Sequence, residues 1–402
     1  MDKRNVLLMN RSGCATSPLG ASCRPDHTMV DKRLFLWFML TWALPLWAQD
    51  AIVHSVQLKP VVLLRTGLRI DFDYRFRNTL PPFDREPDFG ANETARGIIP
   101  TVPPTGFIRN ITDNELLLDM DHDRDFVANP TVTYKSIYDG HVVFKDLQVN
   151  TVRQGLTIPY TLTLYTYEHV CSGWLIVRSG WSGQFELAGR QWSMQVIDNL
   201  NGVYDSNDKM SLAEITSDGK RLIRASACNA PKRIVLAGHT YDLSCVFQDE
   251  QGSVLLNVAF TEVTSDLGTI QIEAKGVESL SLRNEQCLVL LNPSDVNAII
   301  PEGDYHIDSC LLNYDPNLNG YPRFKIDDRI ITVQSGHTTS LVVGTPLTNT
   351  ITVNRHKNHL QLAYGLQGLG GEQYQFYNWK SRPSFDVYMG PIKIASRRFG
   401  YG

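Results

Sequence analysis

The sequence predicts an all-β protein, built as two or more antiparallel β-sandwich-like domains with few or no helices in the mature chain. Three observations carry that expectation. Past residue 50 the apolar runs are short and rich in β-branched or aromatic residues, and several alternate apolar with polar, as in Arg69–Arg75, Tyr160–Tyr167 and Gln191–Ile197. Turn dipeptides punctuate them, among them Asp139-Gly140, Asn201-Gly202, Asp218-Gly219, Glu302-Gly303 and Asn319-Gly320. No stretch after residue 50 keeps a helical apolar period for three turns. A chain of 402 residues with 43% apolar and 20% charged composition has room for two or three domains and a sizeable core. A formal net charge of −4 gives no electrostatic footprint for nucleic acid.

The first element is a leader. Lys32-Arg33 precedes the apolar run Leu34–Leu46, and Trp47-Ala48-Gln49-Asp50 supplies a small residue where a signal peptidase cuts. The run, about 14 residues, falls short of the roughly 20 that a membrane-spanning helix needs. Residues 29–48 therefore read as a signal peptide, cut after Ala48, and no membrane span is expected once it is removed. The preceding 28 residues carry Cys14 and Cys23 without periodicity. They are either an extension ahead of a true start at Met29 or a long basic region of the same signal. Export to a periplasmic or extracellular compartment follows, and with it an environment that permits disulfides. The mature chain would keep Cys171, Cys228, Cys245, Cys287 and Cys310. Cys228 with Cys245 and Cys287 with Cys310 are the spacings to test for bridges, against the alternative that all five are small buried hydrophobes.

A first β-domain is expected over residues 50–217. Residues 79–109 hold six of the twenty prolines and no strand pattern, so they read as a long surface excursion. Next comes Asp119-Met-Asp121-His-Asp123-Arg-Asp125, with four carboxylates at alternate positions. Calcium takes six to eight oxygens, and its common loop draws them from positions 1, 3 and 5, a carbonyl at 7 and a carboxylate near 12. Asp119, Asp121 and Asp123 fill the first three places, and Asp125 stands at the fourth. Arg124 replaces the usual glycine and Pro130 the distal carboxylate, so half a motif is present. The alternative is a solvated turn neutralised by His122 and Arg124. Further on, Trp174, Trp181 and Trp192 either fill the core or form a sugar-stacking row. A second oxygen-rich loop follows, with Asp198, Asn199, Asn201, Gly202, Asp205 and Asp208, and reads first as a hairpin turn.

A second β-sandwich-like domain is expected over 218–345, and a small C-terminal sheet, incomplete or leaning on its neighbour, over 346–402. A third loop, Asp315-Pro-Asn317-Leu-Asn319-Gly320, has the calcium-loop spacing with a single carboxylate and reads as a turn. The last strands, Ser384–Tyr388 and Ile392–Ser396, should pair as a hairpin.

Signals for catalysis are weak. His356 and His359 are the one close His pair and lie beside a turn with no acidic third ligand nearby. Ser206-Asn-Asp-Lys209 and Ser217-Asp-Gly-Lys220 match a nucleophile spacing, but in Asp/Gly turns rather than at the start of a helix. Gly180-Trp-Ser-Gly183 lacks the final glycine and the helix of a nucleophile elbow.

In the order of these loops, with Gly189-Arg-Gln-Trp192 between the two acidic ones, the chain resembles a group of uncharacterised exported bacterial β-rich proteins with calcium-like Asp/Asn loops. Ile300-Pro-Glu-Gly-Asp-Tyr305 resembles the corner of transthyretin-like or carboxypeptidase-regulatory sandwiches. The resemblance covers roughly residues 110–400, implies no activity, and is broken by Ile197 and Asn199, where acidic residues would be expected. The expected role is that of an exported, non-enzymatic structural or binding protein with calcium as a candidate cofactor. A carbohydrate-binding module or carbohydrate-active enzyme, with a carbohydrate or cell-envelope partner, is the alternative.

Overall fold

Alternation in the sequence becomes pleat in the molecule. In Leu156–Tyr167 the burial follows the period of two that a half-covered strand requires, with Ile158, Tyr160, Leu162 and Leu164 fully inside. The structure, a computed structural model, describes residues 53–63, 68–73, 75–76, 83–133, 136–138, 140–167, 172–215, 221–292, 296–313, 322–324, 329–357, 359–376 and 384–399. The signal segment and the region before it, the Ser217–Lys220 turn, the Asp315–Gly320 loop and Cys171 lie outside the described residues.

The described residues are all-β and contain no helix, hence none long and apolar enough to cross a membrane. The largest sheet has twelve strands, in the order 221–229, 209–215, 190–197, 179–187, 53–62, 253–263, 239–250, 233–236, 287–291, 277–283, 303–312 and 331–333. Its first strand in sequence lies in its middle: Val53–Val62 pairs with Ser179–Leu187 on one side and with Ser253–Val263 on the other. Two five-stranded sheets contribute residues 68–73, 172–177, 156–167, 141–153 and 136–138 in one, and 75–76, 94–99, 105–110, 115–118 and 131–133 in the other. Smaller sheets are built from 297–301, 267–275 and 338–344, from 322–324, 373–376, 359–367 and 348–356, and from the hairpin Ser384–Met389 with Ile392–Arg398. Pairing between these strands is antiparallel except for two parallel neighbours, Arg233–Leu236 with Cys287–Leu291 and Leu267–Lys275 with Thr338–Gly344.

Two buried clusters fill the spaces between sheets, as in a sandwich. One joins Phe107, Phe144, Tyr160 and Leu164 to Trp181, Trp192, Val196, Leu256 and Phe260. The other joins Ile270, Ile300 and Val343 to Leu280, Leu282, Ile307 and Tyr305. The first draws on residues on both sides of position 217, from Leu58 to Leu290.

Trp181 and Trp192 are core residues, each with its indole N–H satisfied by a backbone carbonyl, of Val254 at 2.9 Å and of Leu187 at 3.1 Å. Trp174 is half-buried and stacks on Tyr165, directly opposite across the strand pair, at 5.0 Å. The Pro-Glu-Gly-Asp-Tyr segment makes a tyrosine corner, in which the buried Tyr305 hydroxyl donates back to the Pro301 carbonyl at 2.9 Å. Gly303 opens that corner at φ 149°, a backbone that side-chain-bearing residues rarely adopt.

Cys245, Cys287 and Cys310 are free thiols, so of the two alternatives neither the Cys228–Cys245 nor the Cys287–Cys310 bridge forms. Burial pushes the three thiol pKa values up, to about 12, 12 and 11, which disfavours the nucleophilic thiolate at each.

Candidate metal centre

The acidic run closes the hairpin between Glu115–Leu118 and Thr131–Thr133, whose register is fixed by Glu115↔Thr133 and Leu117↔Thr131. Its two ends are anchored differently. The Asp119 N–H donates to the Gly106 carbonyl at 3.0 Å. Phe126 is fully buried with Ile108 and Leu117 and meets Phe83 at 4.5 Å. Gly106 is required beneath them, since a Cβ there would stand 2.8 Å from the Phe83 ring and 3.1 Å from that of Phe126.

Thr94–Ile99 and Thr105–Asn110 are buried strands, which corrects the reading of 79–109 as a surface excursion, and only its residues 83–86 form a strap that holds the loop from outside. The Arg85 N–H donates to the Arg124 carbonyl at 3.2 Å, and the Phe126 N–H to the Arg85 carbonyl at 2.9 Å. Arg124 pairs with Asp84 at 3.2 Å and lies over the Phe83 ring. The strap is itself fixed by Glu86, which receives the buried guanidinium of Arg96 through Nε at 2.7 Å and again through Nη2. Such a buried pair is costly to break from one side, by roughly 3–5 kcal/mol.

Within the loop, His122 and Arg124 adopt φ of 60° and 63°. This left-handed backbone costs a non-glycine residue about 1 kcal/mol each, and Arg124 holds it at the place where a calcium loop ordinarily has glycine. The side chains of Asp119, Asp121 and Asp123 converge, with one ligand oxygen from each lying within 4.8 Å of the others. Asp121 and Asp123 are exposed, whereas Asp119 is 2% exposed and its Oδ1 is buried without a hydrogen-bond partner. Burial raises the Asp119 carboxyl above its ordinary value, and the charges of Asp121 and Asp123 push the same way against the Arg124 N–H and His122. An orphaned buried oxygen beside two more carboxylates is a donor set suited to a hard cation.

Asp125 does not belong to this set. Its Oδ2 is paired with Arg85 at 2.6 Å, its Oδ1 accepts the Val127 N–H at 3.0 Å, and its carbonyl accepts the Asn129 amide at 2.9 Å. It locks the loop's exit rather than facing its centre.

The second oxygen-rich loop, between Arg190–Ile197 and Lys209–Ile215, turns its acidity inward. Asp208 is fully buried and accepts the Asn199 N–H at 2.9 Å and the Asp205 N–H at 2.8 Å. Asp198, also buried, accepts the Tyr160 hydroxyl at 2.6 Å and the Gly202 N–H at 3.2 Å. Asp205 accepts the Asn201 amide at 2.7 Å and the Asn207 N–H at 2.6 Å. Burial and the neighbouring Asp198 push the Asp208 carboxyl up to about 8. That acidity is engaged by backbone N–H groups, the Tyr160 hydroxyl and the Asn201 amide, while Asp198 Oδ2 is buried without a hydrogen-bond partner. The Tyr160–Asp198 contact joins residues 38 apart and left no signal in local spacing.

Of the other sequence candidates, His356 and His359 are an exposed cross-strand pair at a hairpin tip. A surface cleft of about 810 Å³ is lined by Ser206, Asn207, Arg283, Asn284, Asp304 and His306, without an aromatic platform. Asp304 there is engaged by the Thr332 hydroxyl at 2.6 Å. No family model matches the chain, and it has no significant match among curated proteins or solved structures.

Proposed function

We propose that this is an exported, non-enzymatic β-sandwich protein, structural or binding in role, whose Asp119–Asp123 loop takes up a calcium ion. The single observation that carries the metal is the buried, unpartnered Oδ1 of Asp119 beside the carboxylates of Asp121 and Asp123. Three carboxylates at one point repel one another, and a divalent cation replaces that repulsion with coordination. The leader read in residues 29–48 supports a compartment in which free calcium is plentiful, and the resemblance to exported bacterial proteins with Asp/Asn loops points the same way. Bound calcium would stiffen the strand-to-strand loop and the strap that crosses it, presenting a rigid edge.

Two exposed carboxylates and one buried one suit an affinity on the order of 10⁻⁴ to 10⁻³ M, the range of extracellular modules. At ten times the dissociation constant the folded state gains about 1.4 kcal/mol, so calcium should raise the melting temperature by about 2 °C over chelator. Asp121→Asn, at an exposed position, should melt where the chelated wild type does and show no shift. An unshifted wild type at 10 mM calcium removes the proposal.

Carbohydrate binding is the second reading, favoured by the half-buried Trp174–Tyr165 stack. It is served less well by Trp181 and Trp192, which are spent on the core.

A further inference from the structure

The C-terminal sheet overhangs its own core. In the hairpin of Thr348–His356 with His359–Gln367, the register sets Ile351 opposite Tyr364, Val353 opposite Leu362 and Arg355 opposite Leu360. All six therefore share one face. At the root, Leu366 is buried in the second core, and Tyr364 packs against it. Toward the tip the same face runs out into solvent, with Ile351, Val353 and Leu360 between 53% and 60% exposed. Six residues from Leu366 to Leu360 carry the strand about 20 Å.

The second hairpin, Ser384–Met389 with Ile392–Arg398, repeats the pattern. Phe385, Val387 and Met389 alternate onto one face, with Ile392 opposite Met389 and Ala395 opposite Val387. Met389 and Ile392 at its tip are 64% and 60% exposed. Phe399 fastens the two faces together, with its ring 4.7 Å from Phe385 and 5.3 Å from Tyr364. The result is an apolar band joined at its root through Phe399, whose two tips stay 53–64% exposed among the described residues, of the kind that marks an interaction surface.

Its charge says what covers it. The first hairpin has Arg355, Lys357, His356 and His359 around its tip and no acidic residue. The second has Lys393, Arg397 and Arg398 against one carboxylate, Asp386, which is already paired with Lys393 at 2.8 Å. Arg355, His356, Lys357 and His359 therefore form a cationic rim at the apolar tip of the first hairpin, while Arg397 and Arg398 stand at the root of the second, opposite Phe385 and Ser384, in a chain whose net charge is −4. A second copy packed on this band about a two-fold axis would set cation against cation. An anionic lipid surface offers the complement of both features, headgroup charge for the rim and the acyl boundary for Met389, Ile392, Leu360 and Val353. We infer that the paired C-terminal hairpins are a peripheral docking surface for a membrane rich in anionic lipid.

The test is cosedimentation of the full chain with vesicles of phosphatidylcholine alone or mixed with phosphatidylglycerol, in chelator so that calcium bridging plays no part. Binding is expected to the anionic vesicles only and to weaken steeply between 50 and 300 mM salt. The pair Arg355→Gln and Lys357→Gln, exposed at the tip of the first hairpin, should lower the partition coefficient about five-fold per charge removed. Met389→Ser with Ile392→Ser, at solvent-exposed positions, should lower it at least ten-fold while leaving circular dichroism and melting temperature unchanged. No binding to anionic vesicles, or binding indifferent to both pairs, overturns the inference. So does a concentration-dependent dimer that the serine pair dissociates, because the band would then belong to a second copy. Failure here leaves the calcium reading standing, because chelator is present throughout.

Discussion

Asp208 shows how one buried group can tie a loop to the pH of its surroundings. Its two oxygens hold the backbone N–H groups of Asn199 and Asp205, and its neighbour Asp198 is equally buried. Burial raises both carboxyls above their ordinary 3.8; the charge of Asp198 adds to the rise at Asp208, which reaches about 8, and the charge of Asp205 adds to that at Asp198. The folded chain then binds more protons than the unfolded chain between about pH 4 and about pH 8. Stability therefore falls as the pH rises through that window, the reverse of the trend for a salt-bridged carboxylate. Urea unfolding at pH 5 and at pH 8.5 should show that fall in the wild type. Asp208→Asn, which fixes a neutral group, should flatten it while costing about 1–3 kcal/mol at pH 5, because one backbone N–H loses its acceptor. An unchanged pH slope in the variant would show that the dyad is not the source.

At the scale of elements, corners and straps decide which strands end where. The Tyr305 corner turns the chain between Asn297–Pro301 and Gly303–Leu312, which belong to different sheets. Its hydroxyl bond to Pro301 joins residues four apart, and the ring fills the second core. Tyr305→Phe keeps the ring and removes the bond, so it should lower stability by about 1–2 kcal/mol in chemical denaturation. A loss much smaller than this would mean that ring packing alone makes the corner. The acidic loop depends on an element of another kind. The strap at Asp84–Glu86 has no strand pattern, yet it supplies backbone partners to Arg124 and Phe126.

For the whole molecule, the strand Val53–Val62 is the joint. It pairs with Ser179–Leu187 on one flank and Ser253–Val263 on the other, so the long sheet is continuous through the first described strand. Gly183 lets the flanking strand approach, since a Cβ there would stand 2.9 Å from the Leu58 side chain. Residues expected as separate domains on either side of 217 share the first core. Calorimetry of the chain should therefore show the strands around this joint melting in one transition. Two well-separated transitions, one of them insensitive to Leu58→Ala, would show that the halves fold independently.

The sequence by itself determined the strand class, because a period of two and glycine-bearing turns are local properties of neighbouring residues. It also marked the three aspartates that converge, since alternate spacing in a tight loop brings side chains to one side. It could foretell neither the engagement of Asp125 by Arg85, 40 residues away, nor that of Asp198 by Tyr160, because these partners meet only through the sheets. It left open, for the same reason, whether Cys287 and Cys310 pair, as spacing along the chain does not fix distance across a core, and the structure leaves both free. The exposed apolar band was likewise hidden in an ordinary alternating pattern. Only the tertiary structure decided which apolar faces found a partner sheet and which ran past the end of the core.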